Sequence, residues 1–320
     1  MLFYHAIASV LVIVLIIAVG YALAARGWFG RDFAGGVSSL VIRVALPCAI
    51  FTSMLRTLHR EQLASLTAAF VFPLVQVALS YVVGLAACHL FRVRPGRRGS
   101  FVNTVANTNT IFIGMPLNVA LFGSHSVVDM LGPYVVCLVS TWTLGLFLMQ
   151  RDDPTRPAGI RTRLDWRHLI SPPLAGFLLA LLFVLAGLQL PSFLLDTTGY
   201  LGDLVTPLSL IYIGIVLQSA GLRSIRFDRD SILALAGRFL AAPALMIGLV
   251  ILGLPGLGRP DGAILTGTLI VQSATPTIAV LPMLAASAHA DVRYATNMVT
   301  SSTVLFVLVV PVLMWVTSLL

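Results

Sequence analysis

The sequence predicts an all-α membrane protein of ten transmembrane helices, built as two five-helix halves of opposite orientation with the fourth and ninth helices broken. Three observations predict it. Of 320 residues, 58% are hydrophobic and only 10% charged, with a mean hydropathy of +0.98; a soluble domain carries about 25% charged and about 45–50% apolar residues. Apolar runs of about 20 residues, enough to cross a bilayer as a helix, recur along the whole chain. The 20 basic residues, all of them arginine, fall largely on one side of that pattern. Soluble enzyme, nucleic-acid binder and secreted disulfide scaffold are all excluded, because so apolar a soluble surface would precipitate. The net charge of +8 is therefore read first as topology, with no nucleic acid as partner.

The spans fall at 5–25, 37–55, 65–91, 100–122, 127–149, 169–188, 200–219, 231–254, 261–286 and 292–318. In the first, Ala22-Leu23-Ala24 resembles a signal-peptidase site. No basic residue precedes the run, and it is too long for a signal core, so a retained span is expected. The odd-numbered connections hold Arg26 and Arg31, then Arg92, Arg94, Arg97 and Arg98, then Arg151, Arg156, Arg161, Arg163 and Arg167, then Arg223, Arg226 and Arg229, and finally Arg293. The even-numbered ones hold only Arg56, Arg60 and Arg259. The positive-inside rule places the odd connections in the cytoplasm and both termini outside, in a cell's inner or plasma membrane. The central connection, 150–168, is short and charged and reads as a cytoplasmic linker between the halves 1–149 and 169–320.

Proline positions give the two halves a common pattern. Pro47 and Pro207 lie in the second and seventh spans, Pro73 and Pro243 in the third and eighth, Pro116 and Pro282 in the fourth and ninth. Ser124-His125 with Asp129 after the fourth span is echoed by Ala288-His289 with Asp291 after the ninth. Inverted repeats are the build of secondary transporters, whose site lies near the midplane where broken helices meet.

The fourth span carries Asn103, Asn107, Asn109 and Asn118 around Gly114 and Pro116; the ninth carries Gln272, Ser273, Thr275, Pro276, Thr277 and Pro282. Amides at membrane depth must face protein or a water-filled cavity, and as glue they can also hold helices together. Proline removes a donor and interrupts the helix, and a half-helix N-terminus favours an anion. Asn107, Asn109, Thr110, Gly114, Pro116, Gln272, Ser273, Thr275 and Pro276 are the candidate substrate-binding residues.

The run Asn109-Thr110-Ile111-Phe112-Ile113-Gly114-Met115-Pro116-Leu117, extended by Ala120-Leu121-Phe122-Gly123, resembles the Asn-Thr-x-x-x-Gly-x-Pro-Leu signature of the auxin efflux carrier family. Val271-Gln272-Ser273-Ala274-Thr275-Pro276 is similar to the family's second crossover segment, and Ala45-Leu46-Pro47 to its Ala-x-Pro. Span count, linker position and orientation agree along the whole chain. Without the long cytoplasmic loop of the plant carriers, it looks like a compact bacterial member. The resemblance implies the fold shared with bile acid–sodium symporters and sodium–proton antiporters, whose fourth and ninth helices cross as unwound segments. It also implies a malate, malonate or similar organic anion as substrate, with Asn109 on the carboxylate and Pro116 and Pro276 as crossover prolines. The contact expected of Gln272 rests on polarity alone.

No Asp or Glu lies near the middle of any span, Asp129 and Asp203 coming closest. That argues against a sodium–proton antiporter, which needs a midplane carboxylate, and points to potential-driven efflux by alternating access. A sodium-coupled organic anion symporter stays open. Arg43 and Arg238, within spans, either snorkel to the cytoplasm or lend positive charge to an inner vestibule. Cys48, Cys88 and Cys137 show no paired spacing and read as packing residues; the histidines read as interfacial anchors. No metal site and no cofactor are expected. An intramembrane enzyme would need a nucleophile or metal set at membrane depth, and none is present. A membrane scaffold or sensor would need an output domain, for which no connection has room. The expected partners are the small anion and the lipid bilayer, with a homodimer left open.

Overall fold

So apolar a chain has little water to bond its backbone, and its peptide groups close on themselves as helices. The computed structural model describes residues 2–30, 32–57, 65–152, 172–221, 225–255, 257–258 and 262–317. Among these there is no strand, only the isolated bridges Thr108–Thr277 and Leu254–Gly258. The helices are α1 (Leu2–Ala25), α2 (33–57), α3 (Ser65–Leu90), α4 (Arg98–Ala106), α5 (110–122), α6 (131–151), α7 (Pro172–Ala186), α8 (192–220), α9 (229–252), α10 (Ala263–Ser273), α11 (Leu281–Ser287) and α12 (Val292–Thr317). By length and composition, Phe33–Arg56, Thr67–Leu90, Ser124–Arg151, Ser192–Ser219 and Arg229–Leu252 can each cross a membrane. Leu11–Ala25, Thr110–Phe122, Pro172–Ala186 and Ala263–Ser273 are shorter apolar helices.

The predicted fourth span is two helices, α4 and α5, parted at residues 107–109; the predicted ninth is α10 and α11, parted at 274–280. Helix α8 starts earlier than the predicted seventh span, at Ser192, because Asp196, Thr197 and Thr198 break the apolar run without breaking the helix. Of the predicted linker, residues 153–168 lie outside the described residues, as do Arg31, Arg60, Arg223, Arg259, His59 and His168.

Helices in lipid gain little from hydrophobicity toward one another, so close backbone approach has to hold them. Helix α1 lies along α8 through two glycines. A Cβ on Gly20 would sit 2.4 Å from the Ile211 carbonyl oxygen, and one on Gly214 would sit 2.2 Å from that of Ile17. Helix α2 packs on α7 and α8, α3 on α4, α6 and α9, and α12 on α1, α10 and α11. Leu15, Leu74, Val82, Leu182, Leu240, Leu252 and Leu308 stay exposed, as lipid-facing side chains do.

Arg97, in the turn before α4, ties three helix starts together. Its Nη1 donates to Asp228 at 2.6 Å and its Nε to Asp291 at 2.8 Å, while Asp230 lies 3.8 Å away. Asp228 caps α9 by accepting from the Ser231 N–H, and Asp291 caps α12 by accepting from the Tyr294 N–H. The guanidinium also lies 4.9 Å over the Tyr294 ring. Partial burial works against the Asp228 carboxylate, but the Ser231 hydrogen bonds and Arg97 outweigh it and hold the group below the usual carboxylate range.

A carboxylate held low stabilises the fold at every pH above its ordinary value of about 3.9 and loses that contribution as pH falls through the depressed one. Purified protein is expected to lose this contribution below about pH 4. Arg97→Ala is expected to melt several degrees lower at pH 7, with a shallower decline in acid. Thermal unfolding from pH 3 to 8 checks both, and equal midpoints at pH 7 would refute the tie.

Candidate functional site

The two breaks meet. At Asn107 the chain leaves α4 and turns extended, with φ −101° and ψ 137°. The Asn109 N–H then donates to the Pro276 carbonyl at 2.8 Å, and Thr108 bridges Thr277. Unwound backbone at this depth has no water to bond, and each segment supplies the other's partners. Asn109 Oδ1 accepts from the Phe112 N–H at 3.1 Å and caps α5. That commits its acceptor and leaves Nδ2 as a donor for a ligand.

Helix α5 opens with a widened turn, Thr110–Gly114, in which the Gly114 N–H reaches back to the Asn109 carbonyl at 2.9 Å. Gln272 of α10 donates Nε2 to the Gly114 carbonyl at 3.0 Å. A Cβ on Gly114 would lie 2.2 Å from Gln272 Oε1, so glycine alone lets the two helices approach this closely. Farther along, Asn118 Nδ2 donates to Thr268 Oγ1 at 3.1 Å and joins α5 to α10 again.

Asn107 is bonded on every side. Its Nδ2 donates to the Tyr81 hydroxyl at 2.7 Å and to Asn103 Oδ1 at 2.8 Å, and its Oδ1 accepts from Ser140 at 2.6 Å. Asn103 donates in turn to the Gly99 and Gly145 carbonyls. This cluster closes the C-terminal end of α4 against α3 and α6.

Beside the breaks lies a cavity of about 230 Å³ lined by Ile42 of α2, Thr108 to Phe112, Tyr134, Cys137, Leu138, Thr141 and Trp142 of α6, and Ile278 to Val280. Its polar lining is hydroxyls, a thiol, an amide and an indole, with no carboxylate. A second cavity of about 500 Å³, lined among others by Thr52, Arg56, His125 and Asp203, lies on the far side of Met115 and Val127. Between the two, Leu46, Ile50, Ile111, Met115, Met130 and Tyr134 close around a void of about 10 Å³.

Among the described residues four helices widen to π-turns, at Val41–Ala45 in α2, Thr110–Gly114 in α5, Thr141–Gly145 in α6 and Gly237–Ala241 in α9. The first three supply cavity residues; the fourth carries Arg238. Such turns recur at functional sites because they re-aim side chains and free backbone groups.

Of the residues singled out from sequence, Asn109 and Thr110 line the cavity. Asn107, Gly114, Pro116, Gln272, Ser273, Thr275 and Pro276 lie buried around the breaks without lining it. The Ser273 and Thr275 hydroxyls turn back to the Ile270 and Gln272 carbonyls. Arg43 is exposed, as snorkelling requires. Arg238 corrects the snorkelling reading for itself: it is 0% exposed and donates to the Ser273 carbonyl inside the bundle. Cys137 does more than pack, since its Sγ donates to the Thr108 carbonyl at 3.2 Å and accepts from the Thr108 N–H at 3.4 Å. Tyr134, Cys137, Leu138 and Thr141 were missed as cavity lining, although their i, i+3, i+4, i+7 spacing puts them on one face of a helix.

Gly114→Ala is expected to destabilise the protein by about 1–3 kcal/mol through overpacking against Gln272. Adding Gln272→Ala should recover part of the loss, so that the double variant is less damaged than the two single effects combined. Midpoints of the three variants test the contact, and strict additivity would refute it.

A family profile described as "Membrane transport protein" matches residues 5–314. An "Uncharacterized transporter" of Methanothermobacter thermautotrophicus is 27% identical over 316 residues, 97% of this chain and 98% of that protein. "Uncharacterized transporter MJ1031" of Methanocaldococcus jannaschii is 24% identical over 315 residues, 96% of this chain and 97% of its own length. "Uncharacterized transporter YfdV" of Escherichia coli K12 is 26% identical over 193 residues, 58% of this chain and 60% of that one. With its apolar helices, the chain is a multi-pass membrane protein, and it belongs to the membrane transport protein family, the auxin efflux carrier family that its Asn109–Leu117 motif resembles.

Proposed function

We propose that this transporter carries a small organic anion, a carboxylate such as malate, malonate or an auxin-like acid, by alternating access, as efflux driven by the membrane potential. One observation carries the reading: the cavity at the paired breaks offers the Asn109 amide, three threonine hydroxyls and the start of α5, and holds no carboxylate. Donors and a half-helix N-terminus favour an anion. A volume of about 230 Å³ lies below the roughly 300–1,000 Å³ of drug-sized sites and suits a metabolite of few heavy atoms.

The architecture proposed with it is ten spans in two inverted repeats, 1–149 and 169–320, joined by the linker 150–168, with the broken fourth and ninth spans crossing. Pro116, just past the widened opening turn of α5, and Pro282, in the first turn of α11, both lie near the start of a second half-helix, which supports the repeat. The apolar constriction between the two cavities supports alternating access, since a rocking of one bundle against the other would open one cavity as it closes the other. The arginine distribution supports placing both termini outside the cytoplasm.

A thermal-shift screen of mono- and dicarboxylates, with and without sodium, tests the site, because a ligand of the native state raises its midpoint. A stabilising carboxylate is expected, and Asn109→Ala is expected to abolish its shift; a robust shift that survives the substitution would sink the assignment. In vesicles, an imposed potential alone should drive flux of that anion. A requirement for a proton or sodium gradient with the potential in place would overturn the uncoupled mechanism.

A further inference from the structure

Among the described residues Asp230 and Arg238 are the buried charged side chains. Asp230 lies 3.8 Å from Arg97. Arg238 has no carboxylate partner there, and its Nε and Nη1 make no hydrogen bond. A lone buried cation is costly unless something negative faces it. Its Nη2 donates to the Ser273 carbonyl, the last residue of α10.

That carbonyl is the negative end of a broken helix. The Ala274 and Thr275 N–H groups turn back to the carbonyls of Val271 and Gln272, so Ser273 presents its own oxygen beyond the helix. A helix C-terminus carries about half a negative charge, and broken-helix C-termini with freed carbonyls are where transporters hold coupling cations. Arginine suits such a place better than lysine, which sheds its proton readily when buried. The π-turn at Gly237–Ala241 is the local device that re-aims this side chain at α10.

We propose that Arg238 is a resident cation: its guanidinium fills the position at the C-terminal end of α10 that a mobile coupling ion would otherwise occupy, and this end of the site takes up no sodium. The consequence, sodium-independent transport, rests on the transporter reading above; the test does not, because it needs no substrate.

The full-length chain, purified in detergent, is unfolded thermally in sodium chloride and in choline chloride at equal ionic strength. The expected midpoints are the same. Arg238→Ala is expected to melt lower and to be stabilised saturably by methylguanidinium, by about 2 °C at ten times its Kd, an effect the parental chain lacks. A saturable, sodium-specific rise in the parental midpoint overturns the proposal. So does an Arg238→Ala protein that melts with the parental one or ignores methylguanidinium. Where Arg238→Ala does not fold, the parental comparison decides alone: a sodium-dependent midpoint refutes the resident cation and a sodium-independent one upholds it. Because no carboxylate is present and chloride is common to both salts, neither result depends on which carboxylate, if any, is carried.

Discussion

Unwinding a helix at membrane depth strands backbone groups that lipid cannot bond, and the centre of this protein is organised around that constraint. The break at 107–109 and the break at 274–280 are each other's solution: the Asn109 N–H finds the Pro276 carbonyl, and Thr108 meets Thr277. Proline is well placed at 276, where an acceptor is wanted and a donor is not. The remaining ends are closed by side chains. Asn107 seals α4 through Tyr81, Asn103 and Ser140, Asn109 caps α5, and Arg238 takes the last carbonyl of α10. Separating the breaks would strand the Asn109 N–H and the Pro276 carbonyl, and beside them the contacts of Gly114 with Gln272 and of Asn118 with Thr268 hold α5 against α10.

Room for a ligand comes from a second departure from regular helix. Close-packed helices leave few voids larger than a water molecule. Here α2, α5 and α6 each widen by one turn beside the breaks, and the residues of those turns line the cavity. A widened turn shifts the faces of its helix relative to one another and keeps the axis continuous. The bundle therefore stays closed around a space it would otherwise fill.

The sequence made the helices legible because length and apolarity decide them, and it made the breaks legible because amides and prolines inside an apolar run have few other uses. It singled out Asn109 and Thr110 by the same logic. Two things were hidden. Cys137 sits among apolar residues, Thr141 sits in a Ser140–Thr143 run that reads as ordinary helix contact, and only their spacing along α6 relates them to a break far away in the chain. Arg238 lies near one end of its predicted span, an end that the arginine distribution places toward the cytoplasm, so distance along the helix favoured snorkelling. Its direction is set by the π-turn that holds it, and sequence periodicity gives no sign of such a turn.

Fixed charge also decides which step of a transport cycle feels the membrane potential. If the guanidinium travels with the broken helix it caps, a bound monoanion makes a pair with no net charge, and the potential acts on the empty carrier. A cationic empty carrier is drawn toward a negative interior, at about 2.3 kcal/mol per charge per 100 mV. On the proposed reading, anions would then be loaded inside and released outside. A dianion leaves one negative charge on the loaded carrier, and the potential drives that step outward too. A carboxylate in the same place would repel the anion and would need a coupling cation to neutralise it. For the proposed anion, a cavity lining free of acids and the buried Arg238 would therefore act in the same electrostatic direction: the first would spare the anion repulsion, and the second would set the sign of the field on the return.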